Sequence, residues 1–449
     1  MGLSGIQIFK LLPKTNCGDC GVPTCLAFAM NLAASKAELS ACPHVSEEAK
    51  AQLASGSAPP IRTVTFGAGE RAVTVGGETV LFRHEKTFFN KTGLAVQIAD
   101  TESADSVKGK LERLMKLSYV RVGLNLHAEA AALKCASGDP AKFAELAKAV
   151  KEYSQAAPIL IGSPKEIEAA APALKDRKPL LYAATTDTVD AMAALAKANG
   201  CPLAVKGKTL DEVAALTQKL AGQGLNDLVI DPGSRAIKQA LFDEVAIRRL
   251  AIQKTFRPLG YPTITFPCEM TGDFMMETVY ASLLMAKYAG VMVLSDLRGE
   301  NLFPLLLERL NIYTDPQRPM KTTEGVYEIN KPNENSPVLI TSNFSLTYFI
   351  VSGEIESSRV PTWLLVLDTD GLSVLTAWAA GKFVGETVGS LVKKTQITQK
   401  LNKKNLILPG AVAVLLGDVE EEVGKDWNVL VGPRESAHIP AFLRQNFAA

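Results

Sequence analysis

Nowhere in the 449 residues is there an apolar run of the roughly 18 that a spanning helix needs. No membrane partner is therefore expected. Basic stretches are missing too. The 48 Lys and Arg are offset by 47 Asp and Glu, leaving a net charge of +1. An obligate nucleic-acid binder neutralises phosphates with clustered cations, so that class is set aside. The opening stretch, MGLSGIQIFKLL, is too short for an export signal and leads straight into cysteines. Cysteine itself is scarce, seven in all and odd in number. Without an export signal that does not read as a disulfide framework. The expected compartment is a reducing cytoplasm. Histidine is scarcer still: His44, His84, His127 and His438.

What is there is unevenly placed. Cys17, Cys20, Cys25 and Cys42 form a C-x2-C-x4-C-x16-C pattern in TNCGDCGVPTC and beyond. Four thiolates converging on one small body suit a [4Fe–4S] cluster. Gly18 and Gly21 let the loop fold tightly and turn N–H groups toward the sulfurs. Residues 26–36 read as a helix. An unbroken helix to Cys42 would spread the ligands by about 25 Å, so it must break first. Pro43 agrees, because the residue before proline avoids helical angles. Structural zinc is the rival, but it usually takes two separated knuckles. Cys135, Cys201 and Cys268 stand alone and read as small core residues.

Three zones follow from composition. Residues 1–57 are the cluster domain and end in a Ser-Gly-Pro linker at 55–60. Residues 58–320 open with VTFGAG…RAVTVGGETVLF, expected to be a β-hairpin lid turning at Gly76-Gly77. Short apolar runs then recur at 94–100, 120–126, 158–163, 179–185, 202–207, 228–233, 263–268 and 291–296, with helical stretches between them. Runs buried on both faces in strand–helix order predict parallel strands. Eight of them favour a (β/α)8 TIM barrel over an open doubly wound sheet. Residues 321–335 read as a polar linker into a small Rossmann-like α/β domain, the zone as a whole being 321–449. Its strand candidates are 337–342, 362–368, 405–410, 412–418 and 428–433.

Barrel active sites lie at the carboxyl ends of strands. Those ends carry Asp100, Asn125, Asp231, Cys268, Glu269 and Asp296, which read more readily as turn and helix caps than as catalysts. In the last domain three strand ends are richer. Thr341 to Thr347 holds several hydroxyls, Gly371-Leu372-Ser373-Val374 opens a helix, and Gly432-Pro433 follows the final strand. Helix starts present free N–H groups, and open α/β sheets bind ligands at the carboxyl edge. There is no G-x-G-x-x-G dinucleotide fingerprint.

With these features in this order, the chain resembles the large-subunit family of the corrinoid iron–sulfur protein of the anaerobic acetyl-CoA (Wood–Ljungdahl) pathway. The likeness covers the cysteine pattern, the barrel and the last domain with DTDGLSVLTAW. It implies a heterodimer with a small corrinoid protein subunit, a [4Fe–4S] cluster and a cobamide on the last domain. It implies methyl carriage from methyltetrahydrofolate, through a methyltransferase, to CO dehydrogenase/acetyl-CoA synthase. The cluster, or a reductive activator, would return Co(II) to Co(I). None of the four histidines sits in the D-x-H-x-x-G motif by which many B12 proteins ligate cobalt, so the cobamide is expected to lack a protein histidine. The expected cobamide contacts are Thr341, Thr347, Gly371, Leu372, Ser373, Val374 and Gly432. No catalytic residue is assigned. Two other readings are a corrinoid-free electron-transfer or reductive-activation protein, and a methyltransferase holding pterin in its barrel.

Overall fold

The computed structural model describes residues 5–33, 37, 39–46, 49, 59–121, 124–315 and 319–447. By compactness the chain divides into Met1–Tyr119 with Leu126–Tyr313, and Val120–Asn125 with Thr314–Ala449. In the first segment, helices Gly5–Leu11 and Cys25–Ala33 share a core of Ile8, Leu12, Cys25, Phe28, Ala29 and Cys42. Thr24 starts the second helix, its hydroxyl accepting the Ala27 N–H at 3.1 Å. The expected helix over 26–36 is described to Ala33; 34–36 lie outside the described residues, as do 55–58 of the linker. A 3-10 turn at Leu39–Ala41 then delivers Cys42, whose N–H bonds Leu39 O at 3.2 Å. The α-helix therefore does not reach Cys42.

A short antiparallel hairpin, β1 (Val64–Phe66) with β2 (Val73–Val75), precedes the barrel. Then comes β3 (Gly93–Ala99), followed by a two-stranded excursion, β4 (Ser118–Arg121) and β5 (Leu124–His127). The barrel resumes with β6 (Ala130–Lys134), β7 (Ala157–Ile161), β8 (Leu180–Ala184), β9 (Leu203–Lys206), β10 (Leu228–Asp231), β11 (Ile264–Thr265) and β12 (Val291–Leu294). β3 and β6–β12 are parallel and adjacent in chain order, with β12 on β3 at Val291–Gly93. Ile230 N–H to Pro262 O at 2.9 Å closes the ring. Helices cover the outside, packing on Leu94, Val96, Leu133 and Leu160.

The inward positions of β3, β6 and β7 are small: Ala95, Ala130, Ala132 and Ala157. That leaves room for Val64, Phe66, Val73 and Val75, which join the same interior core. The hairpin is therefore a plug at the amino end of the strands, not a lid over the mouth. Gly67 N–H bonds Lys178 O at 3.0 Å, and Arg71 reaches Ala128 O at 2.6 Å. Its turn lies at 67–72, between the paired strands, not at Gly76-Gly77.

The second barrel strand is also displaced from expectation. VRVGLNL at 120–126 belongs to the excursion, and the true strand is the alanine-rich β6. Alanine is a poor strand former on its surface merits, so the β-branched run drew the eye. Asn125 consequently does not end a barrel strand.

The last unit is a five-stranded sheet: β13 (Gly325–Ile329), β14 (Val338–Ser342), β15 (Thr362–Leu367), β16 (Asn405–Leu408) and β17 (Asn428–Val431). The spatial order is β13-β15-β14-β16-β17, all parallel but β13. The parallel strands thus run 2-1-3-4, the flavodoxin-like winding, with the switch point between β14 and β16. Two expectations change. The linker at 321–335 contains β13, an edge strand held to β15 from Gly325–Val366 to Ile329–Thr362. The strand expected at 412–418 is instead a 3-10 turn, Gly410–Leu415, running into helix Leu416–Val423. Val412, Leu415 and Val419 are buried at helical spacing, while Val414 is 70% exposed; a short apolar run does not separate the two forms. Among the described residues no helix is long and apolar enough to cross a membrane.

Candidate functional site

The cluster loop is shaped by left-handed residues. Gly18 and Gly21 lie at φ +79°, and Gly21 N–H bonds Gly18 O at 2.8 Å. Asn16 takes the Cys25 N–H on its side-chain oxygen at 2.9 Å, tying the loop to the helix start. Sequence reading missed this residue. Cys25 and Cys42 are buried, Cys20 is half-buried and Cys17 exposed. His44 pairs with Asp19 at 2.6 Å and holds that carboxyl below its usual range. Among the described residues, Cys17, Asp19 and His44 alone converge within 4.8 Å. No group of three of the four cysteines is drawn together in this way.

A crevice of about 300 Å³ opens at the carboxyl edge of the last sheet. It sits at the switch point: Thr341 is the last residue but one of β14, Leu408 ends β16 and Gly432 follows β17. Helix Ser345–Ser358 contributes Thr347, Ile350 and Val351, and helix Val374–Ala379 contributes Val374 and Leu375 with Ser373 before it. Thr341, Thr347, Ser373, Val374 and Gly432 are thereby brought together. Gly432 must be glycine, since a Cβ would meet Ile407 Cγ2 at 2.8 Å. The lining is mostly apolar, yet the Thr341 hydroxyl, buried, has no partner. Ser342 and Ser345 beside it carry unpartnered buried hydroxyls as well. Such groups are costly unless a ligand supplies the missing bonds. Residues missed by sequence reading include Ile350, Leu375, Pro409 and Arg434. Apolar lining has no sequence signature.

Gly371 and Leu372 lie elsewhere. Gly371, at φ +76°, faces the incoming chain, where a Cβ would meet Pro319 at 3.0 Å. Leu372 packs against the sheet core and its carbonyl accepts the Thr369 hydroxyl at 2.8 Å. Both build the turn that presents Ser373. At the centre of that turn is Asn343, buried and unnoticed in the sequence. Its Oδ1 accepts the Thr369 and Gly371 N–H groups at 3.0 and 2.9 Å, and lies 3.0 Å from the Thr369 hydroxyl, whose one proton it shares with Leu372 O.

No histidine is among the crevice residues. His438 is exposed, His84 stacks on Phe82, and His127 bonds the Ala128 carbonyl.

The barrel mouth is occupied by a closed polar network. Arg235 bonds Asp231 at 2.9 Å and Glu269 at 2.6 Å, Lys134 bonds Glu269 at 2.9 Å, and Arg235 lies over Phe266. Asp100 caps a loop, taking the Ala136 and Ser137 N–H groups at 2.8 and 3.0 Å. Asp296 is held by Arg113 at 2.7 Å. Burial first, and then the neighbouring carboxylates, push the Cys268 thiol up to about 12. These groups are mutually satisfied, as caps and braces are.

Two family models match the chain. "CO dehydrogenase/acetyl-CoA synthase delta subunit" matches residues 63–443, and "Putative Fe-S cluster" matches residues 12–44. The corrinoid/iron-sulfur protein large subunit of Moorella thermoacetica is 47% identical over 450 residues, covering 100% of both chains. The acetyl-CoA decarbonylase/synthase complex subunit gamma is 37% identical in Methanopyrus kandleri, covering 99% of this chain and 98% of that one. In Methanothermobacter thermautotrophicus it is 36% identical, covering 99% of each. Among solved structures, dihydropteroate synthase from Thermus thermophilus covers 56% of this chain and 97% of its own at TM-score 0.38 and 16% identity, a likeness too slight to carry a conclusion. On the full-length identity and the match over 63–443, this chain belongs to the family of corrinoid/iron-sulfur protein large subunits and acetyl-CoA decarbonylase/synthase gamma subunits.

Proposed function

We propose that the chain is the large subunit of a methyl carrier, with a [4Fe–4S] cluster on Cys17, Cys20, Cys25 and Cys42 and a cobamide in the crevice of the last domain. The observation that carries this is the crevice itself: apolar, at the switch point, with the Thr341 hydroxyl buried and unpartnered in its lining. When bound, the cobamide's cobalt supplies the chemistry, as Co(I) accepting methyl from methyltetrahydrofolate by way of a methyltransferase and releasing it to acetyl-CoA synthase.

The chain's own work is to hold and shield. Thr341, Thr347 and Ser373 offer hydroxyls to the cofactor's amides, while Val374, Leu375 and Ile350 exclude water from its face. A cluster held by the four cysteines would supply the electron that returns Co(II) to Co(I), alone or with a reductive activator. A small corrinoid protein subunit completes the carrier. The satisfied network at the barrel mouth counts against a pterin site there.

Metal analysis and an absorption spectrum of anaerobically purified protein test the proposal. One cobalt and about four irons per chain, with corrinoid bands, is the expected result. Iron without cobalt, after growth with cobalamin, would leave a plain electron-transfer protein.

A further inference from the structure

We infer that Asn343 is the positioning residue of the crevice, holding the β14 and β15 loops in one arrangement through a single amide. This rests on the crevice being the cofactor site. Asn343 is 1% exposed and is not among the residues that line the crevice, yet every polar atom it has is used. Its Oδ1 gathers the Thr369 and Gly371 N–H groups and shares the Thr369 hydroxyl proton with Leu372 O. Its Nδ2 donates to Asp368 Oδ1 at 2.7 Å. Two N–H donors on one side and a carboxylate on the other fix which atom is oxygen. The backbone adds two bonds: Asn343 N–H to Leu367 O at 2.9 Å, and Thr322 N–H to Asn343 O at 2.8 Å.

The turn it gathers is one that does not close by itself. Asp370 and Gly371 are both left-handed, at φ +56° and +76°. The left-handed Asp370 costs conformational energy, which hydrogen bonds to the N–H groups of the turn offset. Asn343 is the acceptor for Gly371, while Asp368 Oδ1 takes the Asp370 N–H at 3.0 Å. Ser373 and Val374 leave the turn directly into the crevice, and Thr341 and Thr347 flank Asn343 on the other loop. Losing the amide frees both walls at once.

An exchange of partners tests this. Asn343→Asp keeps the acceptor but sets a second carboxylate against Asp368. Asn343→Asp with Asp368→Asn restores one carboxylate and one amide in the reversed order. The full chain is titrated with aquocobalamin, followed by absorbance. Hydrogen exchange of the Thr369 and Gly371 amides is measured without cofactor. Asn343→Ala and Asn343→Asp should each bind at least about tenfold more weakly, with faster exchange at both amides. The double variant should recover both readouts to within about threefold. Unchanged exchange in Asn343→Ala, or a folded double variant that recovers neither readout, overturns the inference. If the alanine variant does not fold, the aspartate pair decides alone. Failure of the native chain to bind aquocobalamin would strike the crevice reading instead, and the exchange data would still judge Asn343.

Discussion

Tyr182 donates its phenol proton to Asp231 Oδ2 across 2.5 Å at the carboxyl end of the barrel. The bond joins β8 to β10 over the strand between them, and it persists in a buried place because Arg235 supplies the balancing charge. Remove that charge and Asp231 stays behind, 2% exposed and uncompensated. Arg235→Met is therefore expected to cost about 3 kcal/mol of barrel stability, near the low end for breaking a buried pair. Lys151→Met, which opens the solvent-exposed pair with Asp176, should cost less than about 0.5 kcal/mol. Chemical denaturation of the two variants side by side checks the contrast. Equal losses would mean that the mouth network braces nothing.

A second buried acid gives the barrel a pH dependence. Burial pushes Glu244 up to about 8 from 4.5, against the pull of Thr263 and Arg248 and with help from Asp231 and Asp243. Between those two values the folded state keeps a proton that the unfolded state releases. Stability therefore falls as pH rises from about 4.5 to 8 and levels off above. Glu244→Gln removes the proton from the balance, and its amide oxygen can still accept the Thr263 hydroxyl. The variant should gain on the native chain steadily from about pH 5 to pH 8 in unfolding free energy. A constant difference across that range would refute the assignment.

How far the fold could be read in advance depended on what each element buries. Seven of the eight barrel strands were legible because β-branched and leucine runs buried on both faces stand out, as in VMVLSD and PILIGS. β6 was not, because its inward alanines are small for a reason found elsewhere in the chain, in the plug formed by Val64 and Phe66. Edge strand β13 hid in a polar stretch because one side of it meets solvent, leaving only Val326, Tyr327 and Ile329 as a faint signal. At the crevice, hydroxyls at strand ends were visible and do come together, since chain topology alone brings strand ends to one edge. Gly371 and Leu372 misled because a turn needs the same residues that a ligand loop does. Asn343 gave no signal, because its partners lie 25 to 28 residues away and only the β14–β15 register brings them near.

Thr341 allows the cofactor reading to be separated from stability. Its hydroxyl is buried with no partner, so the free protein bears that desolvation for nothing. Thr341→Val keeps the shape and discards the polar atom. The free chain should be unchanged or more stable by up to about 1 kcal/mol, while aquocobalamin binding weakens about fivefold. Opposite signs in the two measurements are the expected outcome. Weaker binding accompanied by an equal loss of stability would point to a packing residue and nothing more.

Cysteines divide into two chemical groups, and the division predicts where metal goes. A thiol must lose its proton to ligate iron. Burial, as the largest effect, pushes Cys201 and Cys135 up to about 11 and Cys268 up to about 12, so the barrel keeps its three as neutral thiols. Cys25 and Cys42 are buried too, but in one small core with Phe28 and Ala29, and Cys25 follows directly on the loop that Gly18 and Gly21 turn. Replacing Cys42 by Ser should take iron from about four per chain to below about one and remove the broad visible absorbance. Cys201→Ser should leave both unchanged. The measurement is iron, zinc and acid-labile sulfide on anaerobically purified chains. Zinc in place of iron in the native chain, or full iron in Cys42→Ser, would overturn the four-cysteine assignment and with it the electron path proposed for the cobalt.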